Sequence, residues 1–296
     1  MQKVIKQHYI PVFYLKRWAI NGKLVEFSRP NPKSRDVKPH MKPPKATAWC
    51  RGLYDLAGIS PKMVHYIEQI FFLGVDTRAS MALEIIEDGG QIERQELRQA
   101  WAMFVMSLFL RHPKDVDAFK EIYKKEFLIS SDIEREKYAR LKSSSDPDEF
   151  SDYIISLGPN FIENMALNHI PKIINSQRSV ESLMNMTWGF VSAPRDGYFL
   201  TSDRPLIRNL LGRPDSLWLL PISPRKSFIA VNLRGHFMET QANVYRQGWK
   251  QINKLIVRQA EALGFSDSQR HLPFFQKHLA KDTKMSVFYS LHRKRS

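Results

Sequence analysis

Three side chains stand where their types could do chemistry: His8, Arg111 and Asp203. Asp203 lies in the stretch "YFLTSDRPLI", 198–207, where an apolar run stops at Thr201-Ser202 and a proline follows two residues after the carboxylate. Two readings fit this pattern. In the first, Asp203 is the N-cap of a short helix from Arg204, with Leu206, Leu210 and Leu211 turned inward. Pro205 has no amide hydrogen, so the carboxylate would cap Leu206, a contact worth ~0.5–2 kcal/mol. In the second, it stands at the carboxyl end of a strand, where it could orient a histidine or hold a metal. A strand-to-helix junction is also where anions gather.

His8 is the natural proton carrier of the three, since imidazole titrates near neutrality. The alternative for it is a ring bonded to a backbone carbonyl. Arg111 ends the most apolar helical stretch, where a cation complements the helix dipole. The same guanidinium could clamp a phosphate or carboxylate bidentately. Brought together, the three would suit phosphate-ester hydrolysis of the phosphodiesterase or nuclease type. His8 would act as acid or base, Arg111 as charge stabiliser and Asp203 as orienter. Tyr9, Tyr14, Arg17, Arg29, Ser202 and Arg204 are the expected ligand contacts around them. Tyr9, Phe13, Tyr14 and Trp18 lie amid Lys6, Lys16 and Arg17, a composition that could stack bases, although the same spacing also suits core aromatics.

Other chemistries lack their residues. No GxGxxG, GxxxxGK[ST] or GxSxG occurs, which removes the usual phosphate-cradling loops and the nucleophile elbow. No HExxH or clustered His/Cys spacing is present; His65-x-x-Glu68 alone puts two possible ligands on one helical face. No cofactor is called for, and a divalent metal is left open. Cys50 is the single cysteine, so no intramolecular disulfide can form, and with no evident activating base it reads as a small hydrophobe. With no signal-like N-terminus, this suits a reducing cytoplasm. The longest apolar run, "AWAMFVMSLFL" at 100–110, is shorter than the ~20 residues of a membrane span and reads as a core helix.

The formal net charge is +15, and it is unevenly placed. Residues 1–55 hold twelve Lys and Arg against Glu26, Asp36 and Asp55, and residues 269–296 hold seven against Asp282. Such ends attract polyanions through long-range fields and counterion release.

These residues must be positioned by the rest of the chain. Pro11 opens a short helix, and "GKLVEFS" at 22–28 alternates as a strand. The Pro-rich basic segment 29–45 is expected to be an exposed loop. Ser60-Pro61 signals a helix running to about Ile86 with an interruption near Gly74. Helices follow at about 93–111, 113–128 and, from the polar segment 142–150 whose Asp146 to Glu149 open the next one, onward to about 184. Strands are expected near 185–192, 198–202, 216–222 and 227–233, paired as two hairpins across "APRDG" and "SPRK". Helix returns at 239–263 and 267–281, with a late strand at 287–291 and a basic tail at 292–296. The whole reads as a single α+β domain over 1–296, mostly helical with one small antiparallel sheet.

The pieces "HYIPVFYLKRWA", "GKLVEFSR", "YDL…IEQIFF", "LRHP", "YFLTSDRPL" and "LWLLPISPRKSFIA", in that order along the chain, resemble the uncharacterised, mainly microbial domain-of-unknown-function family 4238. The resemblance implies one continuous domain and brings no activity with it. It singles out His8, Arg111 and Asp203 as matching polar motif positions.

Two function classes follow. The first is a nucleic-acid or polyanion binder with a possible phosphate-ester hydrolase activity. The alternative is a non-catalytic module whose basic segments dock an acidic protein partner. Hydrolysis of a small phosphorylated metabolite is a third possibility and would need a concave pocket.

Overall fold

A computed structural model describes residues 6–31, 34, 36–60, 63–129, 132–232 and 234–283. The chain opens with strand β1 (Lys6–His8), the short helix α1 (Val12–Leu15), and strands β2 (Leu24–Ser28), β3 (Lys38–Lys42) and β4 (Trp49–Arg51). A π-helical stretch, Ile67–Phe72, runs into α2 (Leu73–Glu87). Six helices follow: α3 (Gln95–Ser107), α4 (Pro113–Ile129), α5 (Asp132–Leu141), α6 (Phe150–Ser156), α7 (Phe161–Ile174) and α8 (Gln177–Met184). Next come β5 (Thr187–Ser192), β6 (Thr201–Ser202), β7 (Ile207–Arg208), β8 (Leu217–Pro221) and β9 (Lys226–Val231). The last elements are α9 (Arg234–Asn243), α10 (Trp249–Gln259), β10 (Gly264–Ser266) and α11 (Leu272–His278).

The class is α+β, but among the described residues there are three antiparallel sheets rather than one: β1-β4, β3-β2-β10-β6 and β5-β9-β8-β7. Helix α3 passes through the main core with every residue from Ala100 to Ser107 buried, as befits a helix apolar on all sides. Helix α10 is two-faced: Ile252, Ile256 and Val257 are buried while Lys250 and Lys254 are exposed.

Several expectations are corrected. The segment 29–45 is not all loop, because Lys38–Lys42 pairs with β2 as an edge strand. Pro39 is tolerated there because an edge strand has one side without ladder bonds. The expected hairpin across "APRDG" does not form. Strand β5 pairs with β9, whereas β6 pairs with β10 in another sheet. The linker between them is held by backbone bonds to the next turn, Ala193 N–H to Arg225 O at 2.8 Å and Phe199 N–H to Pro224 O at 2.9 Å. The β8–β9 hairpin does form, in the expected place.

Helix α2 is reached through turns and the π-stretch from Tyr66; Pro61 lies outside the described residues. Helix α3 ends at Ser107 and α6 begins only at Phe150, because Asp146 turns back to accept from Ser143 N–H at 2.8 Å. The helix expected to 263 stops at Gln259, and the one expected over 267–281 is the shorter α11, preceded by a 3-10 turn at Gln269–His271. The expected strand at 287–291 and the tail at 292–296 also lie outside the described residues.

Candidate functional site

No helix follows Asp203. The chain instead enters β7, and the side chain of Gln259 donates to Arg204 O at 2.7 Å and Leu206 O at 3.0 Å. Those are carbonyls that a helix would have used for its own ladder. The capping reading is therefore wrong about which amides are served. Asp203 Oδ1 accepts from Glu261 N–H at 2.8 Å, and Oδ2 accepts from Ala262 N–H at 2.8 Å and Leu263 N–H at 2.9 Å. The carboxylate ties the turn after α10 to β6 and is 1% exposed. Burial pushes its pKa up to about 6, with the three amides working in the opposite direction.

The histidine beside Asp203 is His112, with Nε2 at 4.0 Å from Oδ2. His112 Nδ1 accepts from Lys114 N–H at 3.3 Å. Burial, then the charges of Arg204 and Lys114, pull its pKa down to about 3, so the ring is neutral. Tyr9 lies edge-on against it, ring centroids 5.3 Å apart. Arg204 donates to Asp115 Oδ2 at 2.7 Å, and the buried Asp115 Oδ1 has no partner among the described residues.

Arg111 is fully buried and its fork is occupied. Nη1 and Nη2 donate to Asp76 Oδ2 at 2.9 Å and Oδ1 at 2.5 Å, and Nε donates to Ser107 Oγ at 2.7 Å. The guanidinium also covers the Phe72 ring at 4.2 Å. Burial works against its charge, yet Asp76 holds its pKa above the ordinary value. Glu68, on the π-stretch, shares this polar layer. Burial pushes its pKa up to about 7 against the pull of Arg111, and it accepts from the backbone amide of His8.

His8 itself closes β1. Its Nε2–H donates to Lys45 O at 3.3 Å, and burial depresses its pKa below the usual histidine range. The three residues thus divide between two neighbouring polar clusters. His8 borders the Arg111–Asp76–Glu68 layer, whereas Asp203 belongs with Tyr9 and His112. Glu68, Asp76, His112 and Asp115 were missed as members of these clusters. Their partners are distant in sequence, so only the adjacency of His112 to Arg111 could have signalled one of them.

Most of the expected ligand contacts have structural partners. Tyr14 is buried, its hydroxyl donating to Pro221 O at 2.7 Å and lying 2.7 Å from Thr201 Oγ1. Arg17 pairs with Glu87 at 2.6 Å, and Arg29 donates to Leu279 O at 2.7 Å. Ser202 donates to Ile256 O at 3.0 Å. His65 bonds Asp55 at 2.6 Å, and no group of three or more metal-ligating side chains occurs among the described residues. Cys50 is half-buried, and burial raises its thiol to about 11, which leaves it unreactive at neutral pH.

The accessible chemistry lies on the β1–β4 ribbon. Its register places Lys6 opposite Arg51, Gln7 opposite Cys50 and His8 opposite Trp49. Alternation along strands then puts Lys6, His8, Trp49 and Arg51 on one face. Gln7, on the other face, is buried and anchors the ribbon: it accepts from Tyr54 N–H at 2.7 Å and donates to Asp55. Lys6 Nζ sits 4.4 Å from the centre of the Trp49 ring. Lys6, Lys45 and Arg51 are exposed, and no carboxylate pairs with any of them among the described residues. Two of the three acids in residues 1–55 are engaged within the fold: Glu26 is buried against Lys42 and Thr47, and Asp55 serves Gln7 and His65, whereas Asp36 is exposed.

Residues 6–269 match the family model described as "Protein of unknown function (DUF4238)". No curated protein and no solved structure matches the chain. Among the described residues no helix is long and apolar enough to cross a membrane.

Proposed function

We infer that this chain, which belongs to the DUF4238 family, binds polyanions of the nucleic-acid class on the outer face of its β1–β4 ribbon. The observation that carries the reading is Lys6 directly opposite Arg51, beside Trp49 and His8. Like charges directly opposite each other destabilise a strand pair. An anion lying between them turns that cost into an attraction. A phosphate backbone would meet Lys6, Arg51 and Lys45, and as Lys6 swings from the Trp49 ring to a phosphate that ring becomes a surface on which a base can stack. The excess of cations in residues 1–55 supplies the surrounding field.

A hydrolytic step by His8, Arg111 and Asp203 would require groups that are otherwise engaged. Arg111 is held by Asp76, and Asp203 by three amides. The arrangement favours binding without turnover.

The test is fluorescence anisotropy with labelled single-stranded RNA and DNA across a salt series, with strand integrity followed on a gel. Each phosphate neutralised on a single strand contributes ~0.7 to the slope of log K against log salt, so Lys6→Ala with Arg51→Ala should lower that slope by about 1.4. Negligible binding at low salt would overturn the proposal and leave the acidic-protein partner as the better reading. Cleavage lost in His8→Ala would restore the hydrolase.

A further inference from the structure

The linker from β5 to β6, the turn between β8 and β9 and the 3-10 turn before α11 enclose a second basic recess. It is a cavity of about 430 Å³ lined by Arg195, Asp196, Gly197, Tyr198, Arg225, Arg270 and His271. Three arginines face one aspartate there, and none of the three pairs with a carboxylate among the described residues.

The arginines have different tasks. Arg225 Nη2 donates to Ala193 O at 3.0 Å and Pro194 O at 2.8 Å, and Nη1 donates to Gly197 O. Those bonds fix the rim while leaving its charge without a counter-ion. Gly197 lets the linker pack closely, since a Cβ there would meet Pro194 at 2.7 Å and Trp249 at 3.2 Å. Arg270 is oriented by its Nε–H bond to His271 Nε2 at 3.3 Å, with its guanidinium carbon 5.9 Å from the centre of the Tyr198 ring. Among the described residues its two Nη groups, the whole fork of exposed Arg195 and the Tyr198 hydroxyl have no partner.

We propose that this recess binds a phosphomonoester group. One open guanidinium fork, the two Nη groups of a second and a phenol present more donors than the two oxygens of a carboxylate can accept, whereas a phosphomonoester offers three terminal oxygens. The volume falls in the ~300–1,000 Å³ range of ligand pockets, so part of the attached organic group fits too. The phosphomonoester can belong to a small metabolite or to the 5′ end of a nucleic-acid strand. The site is separate from the ribbon and stands whether or not the ribbon binds strands.

The test is isothermal titration of the full chain with phenyl phosphate, and with one oligonucleotide carrying either a 5′-phosphate or a 5′-hydroxyl, at matched ionic strength in chloride. Binding of phenyl phosphate, or a preference for the 5′-phosphorylated strand, is expected; which of the two is tighter identifies the source. Arg195→Gln with Arg270→Gln should weaken the phosphate-dependent binding at least tenfold while leaving melting in chloride unchanged. Tyr198→Phe, which removes one hydroxyl only, should weaken it less. The proposal is overturned if phenyl phosphate does not bind and the two strands bind alike, or if the double variant binds as the parent does.

Discussion

Replacing Asp203 with alanine separates an architectural carboxylate from a catalytic one. In the structure it receives three backbone amides, from Glu261, Ala262 and Leu263, at 2.8–2.9 Å. Each buried donor left without a partner costs ~1–3 kcal/mol. Ala262 is exposed and Glu261 half-buried, so water can reach part of the vacated turn. A net loss of about 3–5 kcal/mol follows from that range. At ~2–4 °C per kcal/mol for a large domain, melting should fall by about 6 °C or more. Asp203→Asn keeps the shape and one oxygen but turns an NH2 group toward amide donors, so it should fall between the parent and Asp203→Ala. The assay is urea unfolding alongside thermal melting, with RNA affinity measured per folded molecule. Affinity should be unchanged in both variants. Asp203→Ala melting within about 2 °C of the parent while losing a measurable strand-cleaving activity would refute this reasoning, because a cost of several kcal/mol cannot hide in so small a shift.

Arg111→Ala should destabilise by about 3 kcal/mol or more, since it leaves the Asp76 carboxylate without its bidentate partner. In a double-mutant cycle, adding Asp76→Ala should recover part of that loss; purely additive effects would refute the pairing. Glu68 has a folded pKa raised from 4.5 to about 7. The stability it contributes is present below pH 4.5 and is lost as pH rises through 7, at no more than ~1.4 kcal/mol per unit. Glu68→Gln should remove that slope between those limits, and an unchanged slope would place the titration elsewhere. Gly264→Ala should destabilise by ~1–3 kcal/mol or more through overpacking. A Cβ there would lie 2.1 Å from Phe275, whose ring is stacked on Phe27 at 4.1 Å and cannot retreat. Phe275→Leu in the same chain should restore part of the loss in melting temperature.

The helices and the β8–β9 hairpin were legible in the sequence because their signals are local. Leu97, Trp101, Phe104 and Leu108 recur at helical spacing, and two apolar runs flank the four-residue turn "SPRK" at 223–226. Strands β6 and β10 were not legible as a pair. They are two and three residues long and lie some sixty residues apart, so neither carries a period of its own. Asp203 shows the same limit at one atom group. Local reasoning gave its carboxylate the amide of Leu206, three residues on, but a carboxylate accepts from any backbone N–H. The fold presents the amides of 261–263, to which no side-chain type draws attention.

The division of the expected site has a simple geometric origin. His8 ends β1 and Tyr9 lies in the bend that follows, and the two side chains go to different clusters. Arg111 and His112, also neighbours, diverge likewise: one meets Asp76, the other approaches Asp203. Sequence proximity therefore groups His8 with Tyr9 and Arg111 with His112, whereas the fold matches His8 with the Arg111 layer and Tyr9 with His112. The ribbon face was hidden for the same reason. Lys6 and Arg51 lie 45 positions apart, and only the β1–β4 register makes them neighbours. What the sequence could carry was their common charge, concentrated in a segment with three acids against twelve cations. A cationic segment with so few counter-ions of its own is left with charge that an external partner can neutralise.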